Sequence, residues 1–217
     1  MKLKNLIYLP LILACNSCAV NPARLDPNKD IIRANVIDEK NFSYGSDYEI
    51  ERERILQIAQ GDYKQVIREL SSPLEASIYC TEYLTHGGID IDSRLYGYGD
   101  YWASFRKIHE RKIDDCDGGA LAAAAILSDD GFQPYVLVVN AISMCHVVFL
   151  YMNQNGKYGS IGINKADNNP PLIDSVEELA KKLGRDMGCE KINNYEVFDI
   201  GCVYPDFIDN EENNNPE

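Results

Sequence analysis

The chain has 217 residues, 45% of them hydrophobic and 25% charged, with a formal net charge of -13. That is the composition of an ordinary globular protein of about one domain, large enough to bury a core without metal or disulfide support. The acidic balance repels phosphate backbones and argues against a nucleic-acid partner.

Lys2 and Lys4 precede a short apolar run, Leu6 to Ala14, too short to span a bilayer. It ends in Ile12-Leu13-Ala14-Cys15, which resembles the lipobox of bacterial lipoproteins. The resemblance implies a signal peptide over 1–14, a lipid on Cys15, and attachment through that lipid to a membrane of the cell envelope. Residues 15–45, with Pro22 and Pro27, read as anchor and linker. The folded domain is expected over 46–205 and a disordered Asn/Glu-rich tail over 206–217.

Within the domain, 47–70 is helix-prone and divided at Gly61. Ser71-Ser72-Pro73 starts a second helical stretch to about Thr85, and Gly87-Gly88 stops it. Residues 89–113 are rich in Tyr, Gly and Asp and hold the only tryptophan, Trp102. The clearest helix spans 115–130. It starts on Asp114 or Asp115 as cap, is small and apolar nearly all round, and stops at Gly131. Strands are expected at 134–139, 145–152 and 157–163, the last two joined by a tight turn at Asn153-Gln154-Asn155-Gly156. A helix near 175–183 and a strand near 195–203 complete the reading.

Seven cysteines give no unique disulfide framework, and Cys189 with Cys202 is the pair to test first. No Cys or His spacing suggests zinc, so neither metal nor cofactor is expected. His86 and His109 read as surface or helix-end residues. Alternation along 145–152 sends Cys145 to the face opposite His146.

Cys116 stands at the start of the buried helix, where backbone amides and the helix dipole favour a thiolate. A thiol nucleophile needs a base, and His146 returns on a strand thirty residues later. The order is cysteine at a helix N-terminus, strand, histidine strand, strand. It resembles the transglutaminase-like branch of the papain-type fold, in the form of a bacterial cysteine peptidase family. Asp115-Cys116-Asp117 is similar to that family's Gly-Asp-Cys-Glu-Asp segment, with Asp114 in place of the first glycine. Gly131-Phe132-Gln133-Pro134, His146-Val147-Val148-Phe149 and Asn155-Gly156-Lys157-Tyr158 resemble its later segments, the last with Tyr where the family has Trp.

The resemblance implies an α+β fold, with the helix that carries the cysteine packed on an antiparallel sheet. It also implies acyl transfer on protein or peptide substrates through a Cys-His-Asp or Cys-His-Asn triad. The family's Asp position falls on Gly162, which leaves Asn164 and Asp167. A three-residue hairpin loop, 154–156, gives paired residue numbers summing to 310 and sets Asn164 opposite His146; this favours Asn164. Trp102 is a candidate pocket residue. A non-catalytic envelope lipoprotein that uses the same fold as a binding module is the alternative.

Overall fold

A computed structural model describes residues 23–25, 46–88, 90–98, 101–142 and 144–201. The expected signal peptide, the lipid site Cys15, most of the linker, Cys202 and the tail lie outside the described residues.

The first half is helical. Helices α1 (Ser46–Ile58), α2 (Tyr63–Glu69) and α3 (Pro73–Ile78) follow a short strand, β1 (Ala23–Leu25). Asp62 caps α2. Ser72 and Glu75 form a reciprocal capping box on α3 with Pro73 in its first turn, the start that the Ser-Ser-Pro sequence signals. α3 ends earlier than expected, because Tyr79–Tyr83 relaxes into a π-helical turn. Strands β2 (Thr85–His86) and β3 (Ile113–Asp114) pair in parallel and bracket the short helices α4 (Ile91–Leu95) and α5 (Phe105–Arg111).

The second half is α6 (Cys116–Ile126), the strands β4 (Tyr135–Ala141), β5 (Cys145–Met152), β6 (Tyr158–Ile161) and β7 (Asn169–Ile173), helix α7 (Val176–Asp186) and β8 (Ile192–Asp199). The sheet order is β1-β8-β4-β5-β6-β7, antiparallel throughout. The molecule is therefore α+β, with α6 laid on an antiparallel sheet.

Both sheet faces are covered, which is why β4 and β5 read as continuous apolar runs. Val136, Val138, Val147, Phe149, Tyr151 and Ile161 face α6 and the N-terminal helices. Leu137, Val139, Val148 and Leu150 face Leu179 and Leu183 of α7. The alanines of α6 (Ala120, Ala122 to Ala125) are at most 2% exposed, so a helix without bulk sinks to the centre. β7 holds Pro170 and Pro171 and was not expected as a strand. It forms the edge of the sheet, where a missing N–H costs no ladder bond.

Two expectations fail on burial. His109 is only 4% exposed. Its Nε2 donates to the Gly61 carbonyl (2.9 Å); burial favours the neutral ring, whose Nδ1 then accepts from the Tyr79 hydroxyl (2.8 Å). Polar residues around it in sequence conceal this, because α5 turns that one face inward between α2 and the π turn. Cys145, whose place on an apolar strand reads as core or a disulfide, is exposed. Cys189 is a free thiol, and its expected partner Cys202 falls outside the described residues.

Candidate active site

Three elements meet at the N-terminus of α6. Cys116 is its first residue, capped by Asp115, whose carboxylate accepts the Asp117 N–H at 3.2 Å. α6 lies against β5, so Cys116 arrives where that strand begins. Its sulfur accepts the backbone N–H of Val147, the residue after His146. That N–H is available because β6 does not extend this far: the β5–β6 ladder runs from Met152↔Tyr158 to Phe149↔Ile161 and stops.

The hairpin register is the one its loop length predicts, every pair summing to 310. Asn164 does not reach His146, however. After Ile161 the chain leaves the sheet and forms a 3-10 turn, Lys165–Asp167. That turn carries Asp167 back, and its Oδ1 lies 2.7 Å from His146 Nε2. Asn164 serves one step removed, its backbone N–H donating to Asp167 Oδ2 at 2.9 Å. Both members of the His146–Asp167 pair are buried, at 6% and 2% exposure. Because a carboxylate can only accept, Nε2 carries the proton. Nδ1 is left with no hydrogen-bond partner among the described residues.

The thiol environment differs from the expectation of a lowered pKa. Burial pushes the Cys116 thiol well above its ordinary value. The carboxylates of Asp117 and Asp115 push it the same way, and the Val147 N–H only partly offsets them. The α6 dipole alone does not make a free thiolate here. Cys80 lies below the pair, its thiol donating to the Gly119 carbonyl at 3.5 Å, and burial raises it as well. Trp102 packs half-buried against the α6-side core.

Sequence reasoning passed over an acidic set beside the cysteine. Asp92, Asp115 and Asp117 each present a carboxylate oxygen, all within 4.8 Å of one another. Oδ2 of Asp92 accepts the Tyr101 N–H at 2.6 Å. Oδ1 of Asp117 is buried and has no hydrogen-bond partner among the described residues. Burial, then the charges of Asp115 and Asp114, raise the Asp117 carboxyl well above the usual carboxylate range. Asp114 is fully buried and is pushed up to about 7, chiefly by burial; it accepts from the Asp115 N–H and the Tyr96 hydroxyl. Oxygen donors of this kind suit a hard divalent cation, of which three carboxylates supply part of a shell. The signal available in the sequence was four acids, at 92, 114, 115 and 117, with no base among 113–118.

No family model matches the chain, and no curated protein matches it. Among solved structures, the crystal structure of a TGase matches with a TM-score of 0.34 and 16% identity, over 58% of this chain and 35% of that one. The chain thus spans about a third of that protein's length. Among the described residues no helix is long and apolar enough to cross a membrane.

Proposed function

We propose that the chain is a transglutaminase-like cysteine acyl-transfer enzyme, acting as a peptidase or amidase on protein or peptide substrates. The observation that carries this reading is the buried 2.7 Å contact of His146 Nε2 with Asp167, one residue from the N–H that holds the Cys116 sulfur. Asp167 fixes the tautomer that leaves Nδ1 as the base.

Nδ1 takes the Cys116 proton as the sulfur bonds to a substrate carboxamide carbon. The carbonyl oxygen becomes an oxyanion, for which the Cys116 backbone N–H is a candidate donor. As that intermediate collapses, the C–N bond breaks and His146 returns the proton to the leaving amine. Water then attacks the thioester with His146 again as base, releasing the acid and the free thiol; an amine in place of water gives transfer. The raised thiol favours this concerted proton transfer over a preformed thiolate.

The N-terminal lipobox supports placement in the cell envelope, with the domain tethered through a lipid on Cys15. Metabolic labelling with palmitate that is lost in Cys15→Ala tests that placement.

The raised thiol also favours a second reading, a binding module that keeps the fold without turnover. Alkylation of Cys116 by iodoacetamide between pH 4 and 9, located by mass spectrometry, separates the two. The enzyme reading expects Cys116 labelling that depends on His146 and slows in His146→Ala. Labelling that rises only above the ordinary thiol pKa, about 8.5, and is unchanged in His146→Ala supports the binding module.

A further inference from the structure

Asp167 leaves a 3-10 turn rather than a strand, so no ladder fixes its direction. Its N–H donates to the Asn164 carbonyl at 3.0 Å, and its own carbonyl is held by two buried side chains. Ser160 Oγ, on β6, donates to the Asp167 carbonyl at 2.6 Å. Asn169 Nδ2, at the start of β7, donates to the same carbonyl at 3.2 Å and to Ser160 Oγ at 2.9 Å. Ser160 and Asn169 are 1% and 3% exposed. Asn169 is anchored in turn: its carbonyl accepts the Tyr151 hydroxyl at 3.1 Å. Gly159 keeps that approach open, since a Cβ there would lie 2.7 Å from the Asn169 oxygen.

A buried hydroxyl and a buried carboxamide are costly unless bonded, and a sheet edge this well covered could be filled by apolar groups at no loss. Here both converge on one carbonyl, that of the residue whose carboxylate meets His146. We propose that Ser160 and Asn169 are positioning residues, holding the Asp167 backbone so that its side chain reaches the imidazole. The inference rests on the acyl-transfer reading above for its consequence in chemistry, but the hydrogen-bond geometry stands apart from it. The chain of contacts runs Tyr151, Asn169, Ser160, Asp167, His146. It ends beside Cys116, so a small rotation at residue 167 is felt at the nucleophile, where misplacement of about 1 Å costs up to about a hundredfold.

The test uses the full chain with Ser160→Ala, Ser160→Thr, Asn169→Ala and Asp167→Ala. Two quantities are read: the NMR titration of the His146 imidazole, and the rate of Cys116 alkylation at pH 7. Ser160→Ala and Asn169→Ala are expected to displace the His146 titration in the direction Asp167→Ala does. They should slow alkylation about fivefold, the effect of one lost neutral hydrogen bond. Ser160→Thr, which keeps the hydroxyl, returns both toward wild type. The proposal is overturned if Ser160→Ala and Asn169→Ala fold and leave the His146 titration at its wild-type position while Asp167→Ala displaces it. It also fails if Asp167→Ala displaces nothing. Should Asn169→Ala unfold, Ser160→Ala, which deletes a single oxygen, decides alone. If the variants displace the titration as expected but His146→Ala leaves alkylation unchanged, the positioning stands and the acyl-transfer reading falls.

Discussion

Gly119→Ala is the sharpest single perturbation of this site. In the interior of a helix, glycine to alanine ordinarily stabilises by about 1 kcal/mol. At Gly119 the new Cβ would lie 2.6 Å from the backbone nitrogen of Ile163 and 3.0 Å from its Cα. Backbone cannot rotate away as a side chain can, so the segment 162–167 must move off α6. Overpacking of this kind costs about 1–3 kcal/mol. The balance is a net destabilisation of up to about 2 kcal/mol, or up to roughly 8 °C in Tm for a domain of this size. Gly184 in α7 supplies the control. Its Cβ would meet the Cγ2 of Ile192, a half-exposed side-chain methyl rather than backbone, at 2.5 Å. Gly184→Ala should therefore be neutral or raise Tm by about 2–4 °C. Thermal melts by circular dichroism measure both. The displaced segment carries Asp167, so Gly119→Ala should also reduce His146-dependent labelling of Cys116. A Gly119→Ala protein that melts at or above wild type, with that labelling intact, refutes the close-approach reasoning.

Three further outcomes are expected. Asn164→Ala should leave the His146–Asp167 contact in place, because alanine keeps the backbone N–H that meets the Asp167 carboxylate, whereas Asp167→Ala abolishes it; the chemical shift of the His146 ring reports which residue is the partner. Burial lowers the His109 pKa below its ordinary 6.5, so the unfolded chain binds that proton more readily. The contribution of His109 is thus complete above about pH 6.5 and is lost as pH falls toward its folded pKa. Wild type should accordingly lose Tm relative to His109→Gln between pH 6.5 and 5, and parallel curves would contradict this. Finally, millimolar CaCl2 should raise Tm and EDTA reverse the gain, by about 2.7 kcal/mol where the ion is at a hundred times its Kd. Asp117→Asn should remove that response, and a melting curve indifferent to both reagents would leave the acidic set as carboxyls relieved by protons alone.

The sequence announced those parts of the fold whose cause is local. Ser72-Pro73-Glu75 made a helix start. The alanine run from Ala120 made a buried helix, and the three-residue loop ending in Gly156, at a φ of 76°, set the hairpin register. It failed where the outcome depends on a distant surface. Extending the register to Asn164 assumes that β6 continues, and nothing within 157–164 says that it stops at Ile161. The reason lies about forty residues earlier, in α6. Gly118 and Gly119 stand in a helix whose next six residues are alanine or leucine-like, where alanine would be the better helix former. Such an exchange is favoured where a neighbour comes too close for a methyl group: the side chain of Asp114 at Gly118, and Ile163, where the chain turns off the sheet, at Gly119. The pair of glycines therefore does more for the site than its neighbours in the cysteine segment reveal. Gly119 admits Ile163 against the first turn of α6, just where β6 has ended and the chain turns toward Asp167 and His146. One packing contact thus adjoins both the nucleophile and the segment that carries the partner of its base. A substitution at Gly119 should accordingly disturb both together, while one at Asn164 disturbs neither.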